Sequence, residues 1–204
     1  MKYTEINAKT IDSWVKNGWE WGIPIPHEVY SKARQGEWQV LLTSAKAVPK
    51  IWFPSLQGKK VLGLASAGGQ QMPIFAALGA YCTVLDYAES QLASERYVAE
   101  REGYTIDIVK ADMTQDFPFE DGGFDLIFHP VSNCYVEDVF HIWQECFRVL
   151  KKGGILLAGM DNGLNFLFDD TDKLPLSVIH KLPFNPLQDP GLYEKAVQNN
   201  EGIQ

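Results

Sequence analysis

From residue 58 onward the chain repeats one pattern, a short apolar run followed by a longer amphipathic stretch. The runs read KKVLGLA, YCTVLDY, TIDIVKA, FDLIFHP and GILLAGM. They are close to continuously apolar, which marks strands buried on both faces, and the helix-length gaps between them mark parallel crossovers. The gaps predict helices over 68–78 stopped by Gly79, over 90–102 stopped by Gly103, and over 137–150 followed by Gly153 and Gly154. The fourth gap, 112–123, reads as a loop or a weak helix. Right-handed crossovers then give an α/β fold, a doubly wound and mostly parallel sheet.

The flanks have a different texture. Residues 1–57 hold Pro24, Pro26, Pro49 and Pro54 and five of the six tryptophans, Trp14, Trp19, Trp21, Trp38 and Trp52. A helix over 4–16 stopped by Gly18, and a second from Pro26 through HEVYSKARQ to Gly36, make this segment a helical cap. Residues 58–161 are read as the α/β core. The segment 162–204 is punctuated by Pro175, Pro183, Pro186 and Pro190, shows no alternating strand, and predicts one last helix over 191–199.

Composition narrows the classes of function. A length of 204 residues with 46% hydrophobic and 22% charged side chains suits one globular core. Eighteen Lys+Arg against 26 Asp+Glu leave a charge of −8, which repels a phosphate backbone and makes nucleic acid an unexpected partner. No apolar run approaches the ~20 residues of a membrane helix, and the first residues lack an export-signal stretch, so neither a membrane nor export is expected. Cys82, Cys134 and Cys146 fit neither a disulfide framework nor a zinc pair, and a reducing cytoplasm suits them.

Doubly wound sheets bind ligands beyond the carboxyl ends of their strands. After the first core strand stands Leu64-Ala65-Ser66-Ala67-Gly68-Gly69-Gln70, whose small side chains let the backbone approach a ligand while the following helix offers free N–H groups. Asp86 ends the second strand, near the ~20-residue offset at which a carboxylate accepts hydrogen bonds from a ribose, and Asp112 closes the third in the same way. His129 ends the fourth strand before Pro130, facing the crevice by this reading; with His27 it is a candidate base. Asp161-Asn162 after the fifth strand reads as a turn pair, not a metal site, and Cys134 as structural.

VLGLASAGGQQ, VLDYAESQL, KADMTQDFPFEDGGFDLIFHPVSN and FRVLKKGGILLAGM together resemble, in order and spacing, the class I S-adenosylmethionine-dependent methyltransferases, in style the ubiquinone/menaquinone-biosynthesis type. The resemblance covers residues 58–161. It implies S-adenosyl-L-methionine as cofactor and methylation of a small-molecule acceptor. Ala65, Ser66, Ala67, Gly68 and Gly69 would line the methionine end, Asp86 hold the ribose, Tyr87 lie beside the adenine, Asp112 and Met113 bracket the adenine, and His129 sit beside the methyl group. The family loop usually reads acidic-x-Gly-x-Gly-x-Gly; here the acid is absent and Ala65 and Ala67 replace two glycines. The family sheet also closes with an antiparallel pair that this chain does not supply, so a truncated or five-stranded sheet is expected, its free edge open to a homodimer contact. Gly63-x-Ala65-x-x-Gly68 is also a degenerate dinucleotide fingerprint, which keeps an NAD(P)-dependent oxidoreductase as the rival, alongside a catalytically inactive nucleoside-binding module.

Overall fold

The structure, a computed structural model, describes residues 2–168, 175–181, 184–199 and 201–203. Of the expected tail features, Pro183 lies outside the described residues. The elements run α1 (Tyr3–Lys16), α2 (His27–Arg34), β1 (Leu41–Thr43), β2 (Lys46–Ala47), β3 (Lys60–Leu64), α3 (Gln71–Ala77), β4 (Tyr81–Asp86), α4 (Glu89–Glu102), β5 (Ile106–Lys110), β6 (Phe124–His129), α5 (Val139–Val149), β7 (Leu150–Ala158) and α6 (Pro190–Asn199). Residues 112–123 form the expected loop.

Five strands pair in parallel in the order β5-β4-β3-β6-β7, with Val61 opposite both Cys82 and Leu126. The chain winds outward from β3 through β4 to β5, then returns to β6 and β7, so the switch point lies between β3 and β6. Two differences from the sequence expectation stand out. β7 begins at Leu150, before the predicted run, and residues 41–47 pair as a small antiparallel hairpin inside the cap. Strands of two and three residues are too short to show alternation. Beyond β7, the only strand pairing among the described residues is an isolated antiparallel bridge between Phe168 and Val178.

Alternation along each strand divides the core into two layers. Val61, Cys82, Leu126 and Phe128 face Phe75 of α3 together with Val40, Leu42 and Val48 of the N-terminal segment. Leu62, Leu64, Leu85 and Ile127 face Ile142, Cys146 and Val149 of α5. The N-terminal segment is thus fused to the sheet core through one of its faces. It is also fastened where α3 begins: Gln70 Nε2 donates to the carbonyls of Glu20 (2.6 Å) and Ile23 (2.9 Å), and Leu41 N–H donates to Gln71 Oε1 (3.1 Å).

The first turn of α4 has no cap of its own, because Ala88 occupies the N-cap position. Asp12 on α1 supplies one from outside, accepting from Ser90 N (2.7 Å) and Ser90 Oγ (2.5 Å). A carboxylate there satisfies an orphan helix N–H and complements the helix dipole. Asp12→Ala is therefore expected to cost about 1–2 kcal/mol, read as a lower urea midpoint with an unchanged slope.

Candidate active site

The carboxyl ends of the core strands open into a cavity of about 320 Å³ roofed by the N-terminal segment. Ala65 and Ala67 after β3, Asp86 at the end of β4 with Tyr87 next to it, Asp112 and Met113 after β5, and Asp161 after β7 all line it. Thr4, Asn7, Ala8 and Ile11 of α1, Trp19, Trp21 and the β1 hairpin close the opposite side. Trp19 and Trp21 belong to the Trp19–His27 stretch that the sequence suggests as a lid over the crevice; the α1 residues and the hairpin carried no individual signal.

The elbow after β3 is strained and clamped. Ala65 (φ 45°) and Ala67 (φ 66°) are left-handed, a conformation that costs a side-chain-bearing residue roughly 1–2 kcal/mol. Val131 (φ 47°), where β-branching makes the cost higher, is the third non-glycine residue of this kind among those described. All three line the cavity. Three elements hold the elbow: Ala65 N–H donates to Leu85 O (2.8 Å), Ser132 Oγ–H donates to Ala65 O, and His129 Nδ1–H donates to Leu64 O (2.7 Å).

The other expected loop residues do not reach the cavity surface. Ser66 is fully buried beneath it. Gly68 lies so close to α4 that a β-carbon there would overlap Gln91 and Ser94, and one at left-handed Gly69 would press on Val98. Their smallness serves the packing of the elbow on α4; the elbow residues that line the cavity are Ala65 and Ala67.

Asp86 is buried at the tip of β4 and accepts Ala88 N–H at 2.8 Å. Burial pushes its carboxyl up to about 6, against the Ala88 and Tyr87 amides, with a smaller upward contribution from Asp12. One turn beyond Gln91 on α4, fully buried Glu95 is pushed up to about 8 by desolvation. Gln91 lines the cavity and is a polar residue that sequence reasoning missed; its Oε1 is buried against Gly68, without a hydrogen-bond partner among the described residues. Asp112 Oδ1 is engaged by Thr114 N (2.9 Å) and Oγ1 (2.8 Å).

His129 corrects the expectation that it faces the crevice. Two residues after Ile127, it shares that residue's side of β6 and packs edge-on against Trp143 of α5 (centroids 5.9 Å). It is fully buried, and desolvation lowers its pKa to about 4 despite the Leu64 bond, so it is neutral, with its proton committed to Leu64. His27 is also displaced. It bridges Glu102 Oε2 (2.8 Å) and Ser31 Oγ (3.0 Å) on the exterior. Glu102 ends the 14-residue α4, roughly 20 Å along the helix from the cavity end. Asp161 and Asn162 accept from Gly163 N (2.7 Å) and Leu164 N (3.0 Å), the expected turn pair. Burial pushes the Cys134 thiol up to about 12, leaving no thiolate nucleophile at neutral pH.

A methyltransferase-domain profile matches residues 62–158. The uncharacterised methyltransferase YbaJ of Bacillus subtilis is 44% identical over 202 residues, covering 97% of this chain and 79% of that protein. The chain belongs to the methyltransferase family. A demethylmenaquinone methyltransferase of Clavibacter sepedonicus is 31% identical over 57% of the chain, which spans 44% of that enzyme. The crystal structure of an S-adenosylmethionine-dependent methyltransferase from Mesorhizobium loti superposes with a TM-score of 0.55 at 19% identity, covering 74% of this chain and 77% of that one, a likeness of fold. The methyltransferase assignment leaves the oxidoreductase rival without support; Gly63 lies inside β3, not after it.

Two outcomes follow for this site. His129→Phe deprives Leu64 O of its donor and is expected to cost about 1–3 kcal/mol in chemical denaturation. In the parent protein the His129 contribution is present above its unfolded pKa and is lost as acidification through about 4 protonates the ring. Asp86 behaves oppositely: its raised pKa means that ionisation above about 6 destabilises the unliganded fold. Asp86→Asn should therefore melt several degrees higher than the parent at pH 7.5, with the gap closing by pH 4 in scanning fluorimetry.

Proposed function

We propose that this methyltransferase takes its methyl group from S-adenosyl-L-methionine and passes it to a small-molecule acceptor held under the N-terminal roof. The observation that carries this reading is a buried carboxylate, Asp86, facing a cavity whose neighbouring wall is a clamped, small-residue elbow. An ionised acceptor in a desolvated site gains about 1.5–3 kcal/mol per hydrogen bond from a sugar hydroxyl, which supports a nucleoside ligand.

The remaining lining suits that ligand. Leu85, Ala111 and Met113 offer apolar surface for a base, beside Tyr87 and Asp112. Ala65 and Ala67 are the elbow positions for the amino-acid end. When bound, S-adenosylmethionine supplies a methyl carbon on a sulfonium whose positive charge disappears on transfer.

The chain's own contribution is mainly position and exclusion of water. Holding two reacting groups about 3–3.5 Å apart and in line lowers a barrier by roughly 7–11 kcal/mol. Trp19, Trp21, α1 and the β1 hairpin form the roof that shields them. His129 and His27 take no part in proton transfer, one being a buried clamp and the other an external bridge. The three free thiols, Cys82, Cys134 and Cys146, fit a reducing cytoplasm.

Titration calorimetry of the intact chain with S-adenosylmethionine, S-adenosylhomocysteine and NAD tests the donor. Both sulfur nucleosides are expected to bind and NAD is not, and Asp86→Ala should weaken S-adenosylhomocysteine at least tenfold. A loss below threefold would contradict the ribose assignment. Binding of both nucleosides without turnover of any acceptor would favour the inactive-module reading.

A further inference from the structure

A second cavity of about 260 Å³ adjoins the first. The two share Cys134, Tyr135 and Val136, so the turn over Ser132–Tyr135 stands between them. Beyond that turn the second chamber is walled by Tyr3 of α1, Leu167, Phe184, Pro186, Leu187 and Ile203. Its two strongly polar side chains are bonded to each other, Asn185 Nδ2 donating to Glu137 Oε1 at 2.9 Å. The surface left for an occupant is therefore mostly apolar.

Charge in the paired chambers has one sign. Among the described residues no lysine, arginine or histidine lines either cavity; the charged lining residues are Asp86, Asp112, Asp161 and Glu137. Asp86 ends β4 and Asp112 follows β5, on the nucleoside side of the switch point. Asp161 follows β7, three strand spacings from β4 and so roughly 14 Å across the sheet. It shares the corner with Cys134, whose thiol its charge helps hold protonated after burial, and Cys134 also faces the second chamber. An anionic occupant of this half would meet like charge and, among the described lining residues, no counter-ion, which selects against such partners.

We propose that the methyl acceptor is an amphiphile without an anionic group. Its apolar body sits in the chamber walled by Phe184 and Leu187, and its neutral or cationic head passes the Ser132–Tyr135 turn to the Asp161 corner. This rests on the methyltransferase reading of the first cavity.

The test uses the intact chain saturated with S-adenosylhomocysteine and three matched probes, octan-1-ol, octylamine and octanoate, titrated by ligand-observed NMR at pH 7.5. Octanol and octylamine are expected to bind at least tenfold tighter than octanoate. Asp161→Asn should reduce the preference of amine over carboxylate at least threefold. Leu187→Trp, which fills the second chamber, should weaken both favoured probes at least fivefold while leaving S-adenosylhomocysteine affinity unchanged. Octanoate binding as tightly as octylamine in the parent protein overturns the proposal while the donor assignment stands. Failure of S-adenosylhomocysteine to bind at all overturns both.

Discussion

The cavity at the carboxyl end of the sheet depends on how the chain leaves β3. A parallel strand must turn into its crossover helix within a few residues, and here it does so through two alanines in a left-handed conformation. That geometry persists because neighbouring elements bind successive atoms of the turn: β4 through Leu85, β6 through His129, and the following turn through Ser132. Each clamp comes from a different part of the sequence, so the elbow is a product of the assembled sheet and not of local preference. Strain of this kind is tolerated where the surroundings over-determine the backbone. Val131, strained in the same sense, belongs to the segment that supplies the Ser132 clamp.

The sheet and its helices were legible in the chain. Five apolar runs and the glycines at 79 and 103 marked strands and helix ends to within a few residues of where they lie, because buried parallel strands and helix stops are local chemistry. The start of β7 was less legible, since Leu150–Gly154 joins the strand through a register shift against Phe124 that no local pattern announces. The hairpin at 41–47 was invisible for its shortness.

In the site, carboxylates at strand ends were readable because strand polarity alone brings Asp86 and Asp112 to one end of the sheet. His129 was misplaced because reaching the end of a strand does not decide to which side a side chain turns. Its parity with Ile127, two residues earlier, places it under α5. Gly68 and Gly69 read in the sequence as room for a ligand; the structure adds a packing demand that the sequence does not show, the close approach of α4. Gln91 and the roof contacts depend on tertiary packing of residues more than 60 positions apart and carry no local signature.

Residues 4–44 supply one wall of the cavity and the strand ends supply the other, with Asp12 tying the first to the α4 terminus beside Asp86. Ordering of that wall and occupancy of the space it encloses are thermodynamically linked. Whatever loosens the amino-terminal stretch lowers apparent affinity by the population of detached chains, even when every atom touching the ligand is intact. Reciprocally, occupancy reinforces the terminus, so protection of its amides from solvent exchange becomes a gauge of saturation.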